Sequence, residues 1–131
     1  MTNKELMKLA IKARENSYCK YSGFAVGAAL LTKTGKVYLG CNVENASFSP
    51  TSCAERTAFF SAIADGERNF SAIAVCGGKN GENRTTCTPC GVCRQVMSEF
   101  CSKDFLVLLE DKNSDIIEIT LGELLPFAFN M

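Results

Sequence analysis

Three cysteines and a glutamate set the tightest constraint on how this chain folds. Cys53-Ala54-Glu55 supplies one thiol and a carboxylate, and Pro89-Cys90-Gly91-Val92-Cys93 supplies two more thiols. Cys90 and Cys93 stand three residues apart, so one helical turn puts both sulfurs on one face. Cys53 joins them only if a fold brings a distant segment alongside. Three thiolates can hold a tetrahedral zinc ion and leave its fourth position open; a structural zinc site closes that position with a fourth protein ligand. The chain has no histidine, so the ligand set would be all sulfur.

Composition narrows the class. A length of 131 residues suits one domain, residues 1–131, large enough to bury a core. Apolar residues make up 47% and charged residues 21%, as in ordinary globular proteins. The formal net charge of zero argues against a strong grip on nucleic acid or an anionic membrane. Met1 to Glu5 is polar with no uninterrupted apolar stretch after it, so no signal peptide is expected. No apolar run approaches the roughly 18 residues of a membrane span. Eight cysteines in a short chain raise the alternative of a disulfide framework. Such frameworks substitute for a core, and this chain has apolar segments enough to form one. A reducing cytoplasm is therefore expected, with Cys19, Cys41, Cys76 and Cys101 acting as small apolar residues.

The pattern along the chain predicts a helix over 3–16, a strand over 24–32, a turn at Lys33-Thr34-Gly35-Lys36 and a second strand over 37–43. A loop over 44–52 leads to a helix over 53–65, closed by Gly66. A short strand over 72–76, a polar loop over 77–88 and a helix over 90–101 entered by Pro89 come next. Strands over 105–109 and 116–120 and a brief helix over 121–125 complete the order. A hairpin feeding alternating helices and strands predicts an α/β fold, one mixed sheet with helices on its faces. Both ligand-bearing helices carry cysteines in their first turn, where the helix dipole lowers thiol pKa values.

Each site residue also has a plainer reading. Cys87-Thr88-Pro89-Cys90 is itself a Cys-x-x-Cys pair, so Cys87 could close a four-sulfur structural site; against this, it precedes the proline and lies outside the helix. Ser52-Cys53-Ala54-Glu55 fits a capping box with Glu55 in the third helical position. The chemical reading gives Glu55 reach toward the open face of the ion without ligating it. Zinc lowers the pKa of bound water toward about 7 and so yields hydroxide for an sp² carbon bearing an amino group, such as C4 of cytosine. Glu55 would shuttle the protons. Three thiolates leave the centre at a formal charge of −1, and Arg56 and Arg94, each directly after a ligand, are candidate offsetting cations.

Four segments together resemble the small, all-cysteine, homotetrameric cytidine deaminases of the bacterial type. They are Cys53-Ala54-Glu55-Arg56-Thr57-Ala58, Pro89 to Val96, Asn42-Val43-Glu44-Asn45-Ala46-Ser47, and Tyr21 to Ala29. The resemblance implies a three-layer α-β-α fold around a central mixed five-stranded sheet, with one Zn²⁺ per chain on Cys53, Cys90 and Cys93. It implies a nucleoside substrate, cytidine or 2′-deoxycytidine, in pyrimidine salvage. Asn42 and Glu44 would bind the ribose hydroxyls, Phe24 would pack on the pyrimidine, and the Ala54 N–H would hold the base. Arg56 would temper the thiolate charge, and Phe129 in the apolar ending Leu124 to Phe129 would reach a neighbouring subunit's site. Taken alone, Asn42 and Glu44 read equally as solvated loop residues and Phe24 as a core aromatic. The competing readings are a deaminase of a cytosine-nucleoside antibiotic of the blasticidin kind, a nucleic-acid deaminase, and a structural zinc module.

Overall fold

Side-chain alternation along three strands decides the layering. The computed structural model describes Met1–Met131 and runs α1 (Asn3–Arg14), β1 (Phe24–Thr32), β2 (Val37–Cys41), α2 (Ala54–Ala64), β3 (Phe70–Lys79), α3 (Gly91–Phe100), β4 (Leu106–Glu110), β5 (Ile116–Thr120) and α4 (Leu121–Leu124). The five strands form one sheet in the order β2-β1-β3-β4-β5. Only β3 and β4 are parallel, joined by α3; the other pairs are antiparallel. Ala28, Leu30, Ile73, Val75, Val107 and Leu109 turn to one face, where they pack against α2 and α3. The residues between them, Ala29, Ala72, Ala74, Cys76 and Leu108, turn to the other face and meet Leu6, Met7 and Ala10 of α1. Period-two alternation thus gives both faces an apolar surface, and helices cover both. This is the expected three-layer α/β architecture. No helix is long and apolar enough to cross a membrane.

The two faces are packed differently. Phe59 anchors the α2–α3 side, with its ring 5.1 Å from Phe70, 6.0 Å from Phe105 and 6.2 Å from Phe100. The α1 side is lined by small residues, which lets that helix sit close. Close approach is strictest at two glycines on opposite faces. A Cβ at Gly27 would stand 2.0 Å from the Ala10 carbonyl of α1, and one at Gly40 would stand 2.2 Å from the Ala54 carbonyl of α2.

Topology then gathers the site. The start of β1 pairs with the ends of both neighbours: Gly27 with Cys41 of β2, and Phe24 to Gly27 with Lys79 to Cys76 of β3. The loops that leave β2 for α2 and β3 for α3 therefore begin at the same end of the sheet, one on each side of β1. That end receives both ligand-bearing helix N-termini and Phe24.

Two strand ends differ from the sequence reading. β3 runs through Lys79 rather than stopping at Cys76. Gly77 and Gly78 look like turn residues, yet they pair with Val26 and Ala25. Their lack of side chains admits the returning loop: a Cβ at Gly77 would lie 2.8 Å from the Cys87 Sγ, and one at Gly78 2.9 Å from the Arg84 Cα. β2 ends at Cys41, and Val43 instead bridges Tyr18 and Ser52. All eight cysteines are free thiols, so the core and not a disulfide framework supports the fold.

Gly40→Ala should destabilise the protein by about 1–3 kcal/mol, the usual range for overpacking against backbone. Urea unfolding checks this; an unchanged midpoint would mean that α2 does not rest on Gly40 as closely as described.

Candidate metal centre and active site

Helix starts carry the sulfurs. Cys53 is the N-cap of α2 and Cys90 the N-cap of α3, while Cys93 lies one turn into α3. The Sγ atoms of Cys53 and Cys90 are 3.8 Å apart, those of Cys90 and Cys93 are 3.4 Å apart, and all three lie within 4.8 Å of one another. Tetrahedral zinc with Zn–S bonds near 2.3 Å needs sulfurs about 3.8 Å apart. The cluster fits one zinc ion. Cys93 is buried and Cys90 exposed, so the centre sits at the wall of the protein with one side open.

The local electrostatics favour an anionic cluster. Cys53 is pushed down to about 5 by its hydrogen bond with Cys93 and by the Arg56 guanidinium. Cys93 is pushed up by that same bond and by burial. Arg56 Nη2 lies 3.3 Å from the Cys53 Sγ, and its buried Nε has no acceptor. A buried donor without a partner is costly, and more negative charge on the sulfurs would draw it in. Arg94 serves otherwise: its guanidinium donates to the carbonyls of Pro89 (2.8 Å) and Leu124 (2.7 Å), tying the C-terminal segment to the start of α3.

Glu55 does not cap its helix. With Cys53 as the cap, Glu55 is the second helical residue, and α2 has no side-chain cap. The carboxyl is instead 4% exposed. Burial, with the Cys53 charge adding to it, pushes its pKa up to about 7. An acid poised there can both accept and donate a proton near neutrality.

A pocket of about 230 Å³ opens beside the sulfurs. Its walls include Phe24, Asn42, Glu44 and Ala54 together with Cys53, Glu55 and Cys90. A larger cleft of about 400 Å³ lies between α1 and Arg84, away from the thiols. As the first residue of α2, Ala54 has an N–H with no intrahelical acceptor. Phe129 does not line the pocket of its own chain; it is 69% exposed, with its carbonyl 3.1 Å from Gln95 Nε2.

Polar valences at the far wall are nearly all taken. Asn42 Oδ1 accepts from Val26 N–H (2.9 Å) and its Nδ2 donates to the Phe24 carbonyl (2.8 Å). Glu44 Oε1 accepts from the Tyr21 and Ser22 amides, both 3.0 Å, and Oε2 accepts from the Ser22 hydroxyl. Those bonds, led by the Ser22 hydroxyl, hold the Glu44 pKa below the usual carboxylate value. A carboxylate offers about four acceptor sites and an amide NH₂ two donors, so one acceptor remains on Glu44 and one donor on Asn42. Ser22 was not legible as a site residue, because only the fold brings it beside Glu44; Arg94, a candidate offsetting cation, bonds backbone carbonyls instead.

Cys87 stands apart from the ligand cluster. Its sulfur packs against Gly77 and its thiol lines the pocket, with burial pushing its pKa up to about 12. Cys87→Ser should therefore keep about one zinc per chain, whereas Cys53→Ala should lose most of it. Metal analysis of the two purified variants reads this directly; a zinc-free Cys87→Ser protein would make the site a closed four-sulfur one.

The sequence and the fold are similar to those of known proteins. Residues 1–109 match the family model described as the cytidine and deoxycytidylate deaminase zinc-binding region. A cytidine deaminase of Halalkalibacterium halodurans is 51% identical over 129 residues, covering 98% of this chain and 95% of its own length. One from Sporosarcina psychrophila is 48% identical over 130 residues, covering 99% and 93%. The crystal structure of cytidine deaminase from Burkholderia pseudomallei superposes with a TM-score of 0.90 at 49% identity, covering 98% of this chain and all of that one. With its five-stranded sheet, paired helix starts and three-sulfur cluster, the chain belongs to the zinc-dependent cytidine and deoxycytidylate deaminase family.

Proposed function

We propose that the chain hydrolyses cytidine and 2′-deoxycytidine to uridine and 2′-deoxyuridine, releasing ammonia, as a step of pyrimidine salvage. The observation that carries this reading is the buried Glu55 carboxyl, poised near neutrality, in the pocket wall shared with the three sulfurs. Cys53, Cys90 and Cys93 would hold the zinc ion, which when bound supplies Lewis-acid activation of a water molecule. Glu55 takes a proton from the water that adds at C4 and delivers it to the adjacent ring nitrogen. It then carries the proton of the new C4 hydroxyl to the amino group, which leaves as ammonia while C4 becomes a carbonyl. Arg56 moderates the sulfur charge, so that the open side of the centre is not too anionic to activate water. Phe24 covers the pyrimidine face, the Ala54 N–H binds the base, and Asn42 and Glu44 take the sugar. A donor and an acceptor left over on those two residues match a hydroxyl, which both gives and receives. This match favours a plain nucleoside over the antibiotic and structural-zinc readings.

The chain is read as one domain, residues 1–131, with both cores built on one sheet. Eight free thiols favour a reducing cytoplasm. A homotetramer is supported by the apolar surface it would cover: Phe60, Phe127 and Phe129 are 51%, 105% and 69% exposed. In that assembly Phe129 would close a neighbouring pocket rather than its own. No basic, aromatic groove is invoked for nucleic acid, and the substrate is a free nucleoside.

Glu55→Gln should keep zinc and fold while losing about 10²–10⁴-fold or more in kcat, since the amide cannot carry a proton. The cytidine-to-uridine absorbance change measures this; a variant within tenfold of the parent would remove Glu55 from the chemistry. Removing zinc with a chelator should abolish turnover and returning it should restore turnover. Light scattering should give four times the 14.2 kDa chain mass. An active monomer would exclude Phe129 from the site.

A further inference from the structure

The turn that precedes β1 carries a polar joint between two parts of the pocket. Ser22 Oγ accepts a hydrogen bond from the Phe24 N–H at 3.0 Å and donates one to Glu44 Oε2. One hydroxyl thus links the backbone of the pocket aromatic to the pocket carboxylate. The turn itself is pinned on both sides. Gly23 N–H donates to the Cys19 carbonyl at 2.8 Å, and the Gly23 carbonyl accepts from Asn80 N–H at 2.9 Å. Tyr18 exchanges backbone bonds with the strand opposite, donating to Asn42 O (2.9 Å) and accepting from Glu44 N–H (2.8 Å). Against that frame the Glu44 carboxylate could still rotate about its own side-chain torsions, because its two backbone donors both meet Oε1. The Ser22 hydroxyl is what engages Oε2.

We infer that Ser22 is a positioning residue for sugar recognition: by occupying one acceptor site of Glu44 Oε2 it fixes the direction of the single site left free. The inference rests on the reading of Glu44 as a sugar-binding residue. Three filled acceptor sites leave Glu44 with one. Removing the hydroxyl would free a second and let the carboxylate turn, so a sugar hydroxyl would meet a mobile acceptor rather than an aimed one. Pre-organised groups bind better because their ordering does not have to happen on association. The loss should appear in binding and leave the proton chemistry at Glu55 untouched. It should also require a substrate with a 2′- or 3′-hydroxyl to present.

The test uses zinc-loaded protein, the Ser22→Ala and Ser22→Thr variants, and two substrates, cytidine and 2′,3′-dideoxycytidine. For Ser22→Ala, KM for cytidine should rise about tenfold with kcat within twofold, while KM for the dideoxy substrate stays within twofold of the parent. Ser22→Thr, which keeps the hydroxyl, should restore the preference. Carbon-13 titration of the side-chain carboxylates gives a readout independent of turnover. The Glu44 pKa should rise in Ser22→Ala and stay low in Ser22→Thr. An unmoved Glu44 titration in Ser22→Ala would overturn the inference, as would an equal rise in KM for both substrates. A parent protein whose Glu44 titration responds to Ser22 but which turns over no cytidine would instead strike the substrate reading.

Discussion

Everything in this structure follows from the need to hold three sulfurs 3.4–4.8 Å apart when one comes from a different helix than the other two. A chain can bring two helix N-termini that close only if the segments entering them leave a common edge. The sheet order β2-β1-β3 supplies that edge, because β2 and β3 both run antiparallel to β1 and end beside its first residues. α2 must then lie hard against β2, and Gly40 gives it the room. Metal geometry, strand order and a bare glycine are one constraint seen at three scales.

Charge has to be arranged around the same point. The start of α2, with its partial positive charge, favours a thiolate at Cys53. The Arg56 guanidinium adds a full charge on the Cys53 side. Glu55, one residue from Arg56, is nonetheless driven toward neutrality, because burial outweighs the nearby cation. The site thus contains a sulfur held ionised and a carboxyl held near its midpoint, two residues apart in sequence. Their separation in behaviour comes from different leading causes: the hydrogen bond with Cys93 and the Arg56 guanidinium hold Cys53 down, whereas burial pushes Glu55 up. A glutamate of ordinary surface pKa would be a weaker base and would take up a proton less readily near neutral pH.

Much of this was legible in the sequence. The spacing of Cys53, Cys90 and Cys93 indicated a three-sulfur centre, and the order of elements indicated a mixed sheet with helices on both faces. Where local pattern misled, a tertiary contact had won. Ser52 to Glu55 spells a capping box, but the helix begins one residue later than that motif requires, so Cys53 takes the cap and Glu55 is released into the pocket. Gly77-Gly78 spells a turn, but it continues a strand because the Cys87 and Arg84 loop needs the space. Cys87 spells a fourth ligand, but its chain path carries it to Gly77. Ser22 carried no signal, since its partner Glu44 lies 22 residues away and only the fold joins them; Arg94 spells a cation for the sulfurs, but it bonds backbone carbonyls.

The site therefore has two halves with different kinds of support. The metal half is mounted on helices and a packed core: Cys93, Ala54 and Ala58 are buried to 1% exposure or less. Errors there would be felt as lost packing. The half that carries Asn42 and Glu44 is mounted on a turn and a loop, where hydrogen bonds give much of the support. Tyr18, Val43 and Ser52 form a small ladder of isolated bridges there, and Asn42 extends β1 through its side chain. A region held this way is locally less stable than the sheet. That difference suits the chemistry. On the proposed reading, proton transfer at Glu55 needs a fixed distance to the reacting carbon, whereas the wall at Asn42 and Glu44 must admit and release a nucleoside. Phe24 joins the two, because it begins β1 in the sheet and is tied by Ser22 to the turn before it.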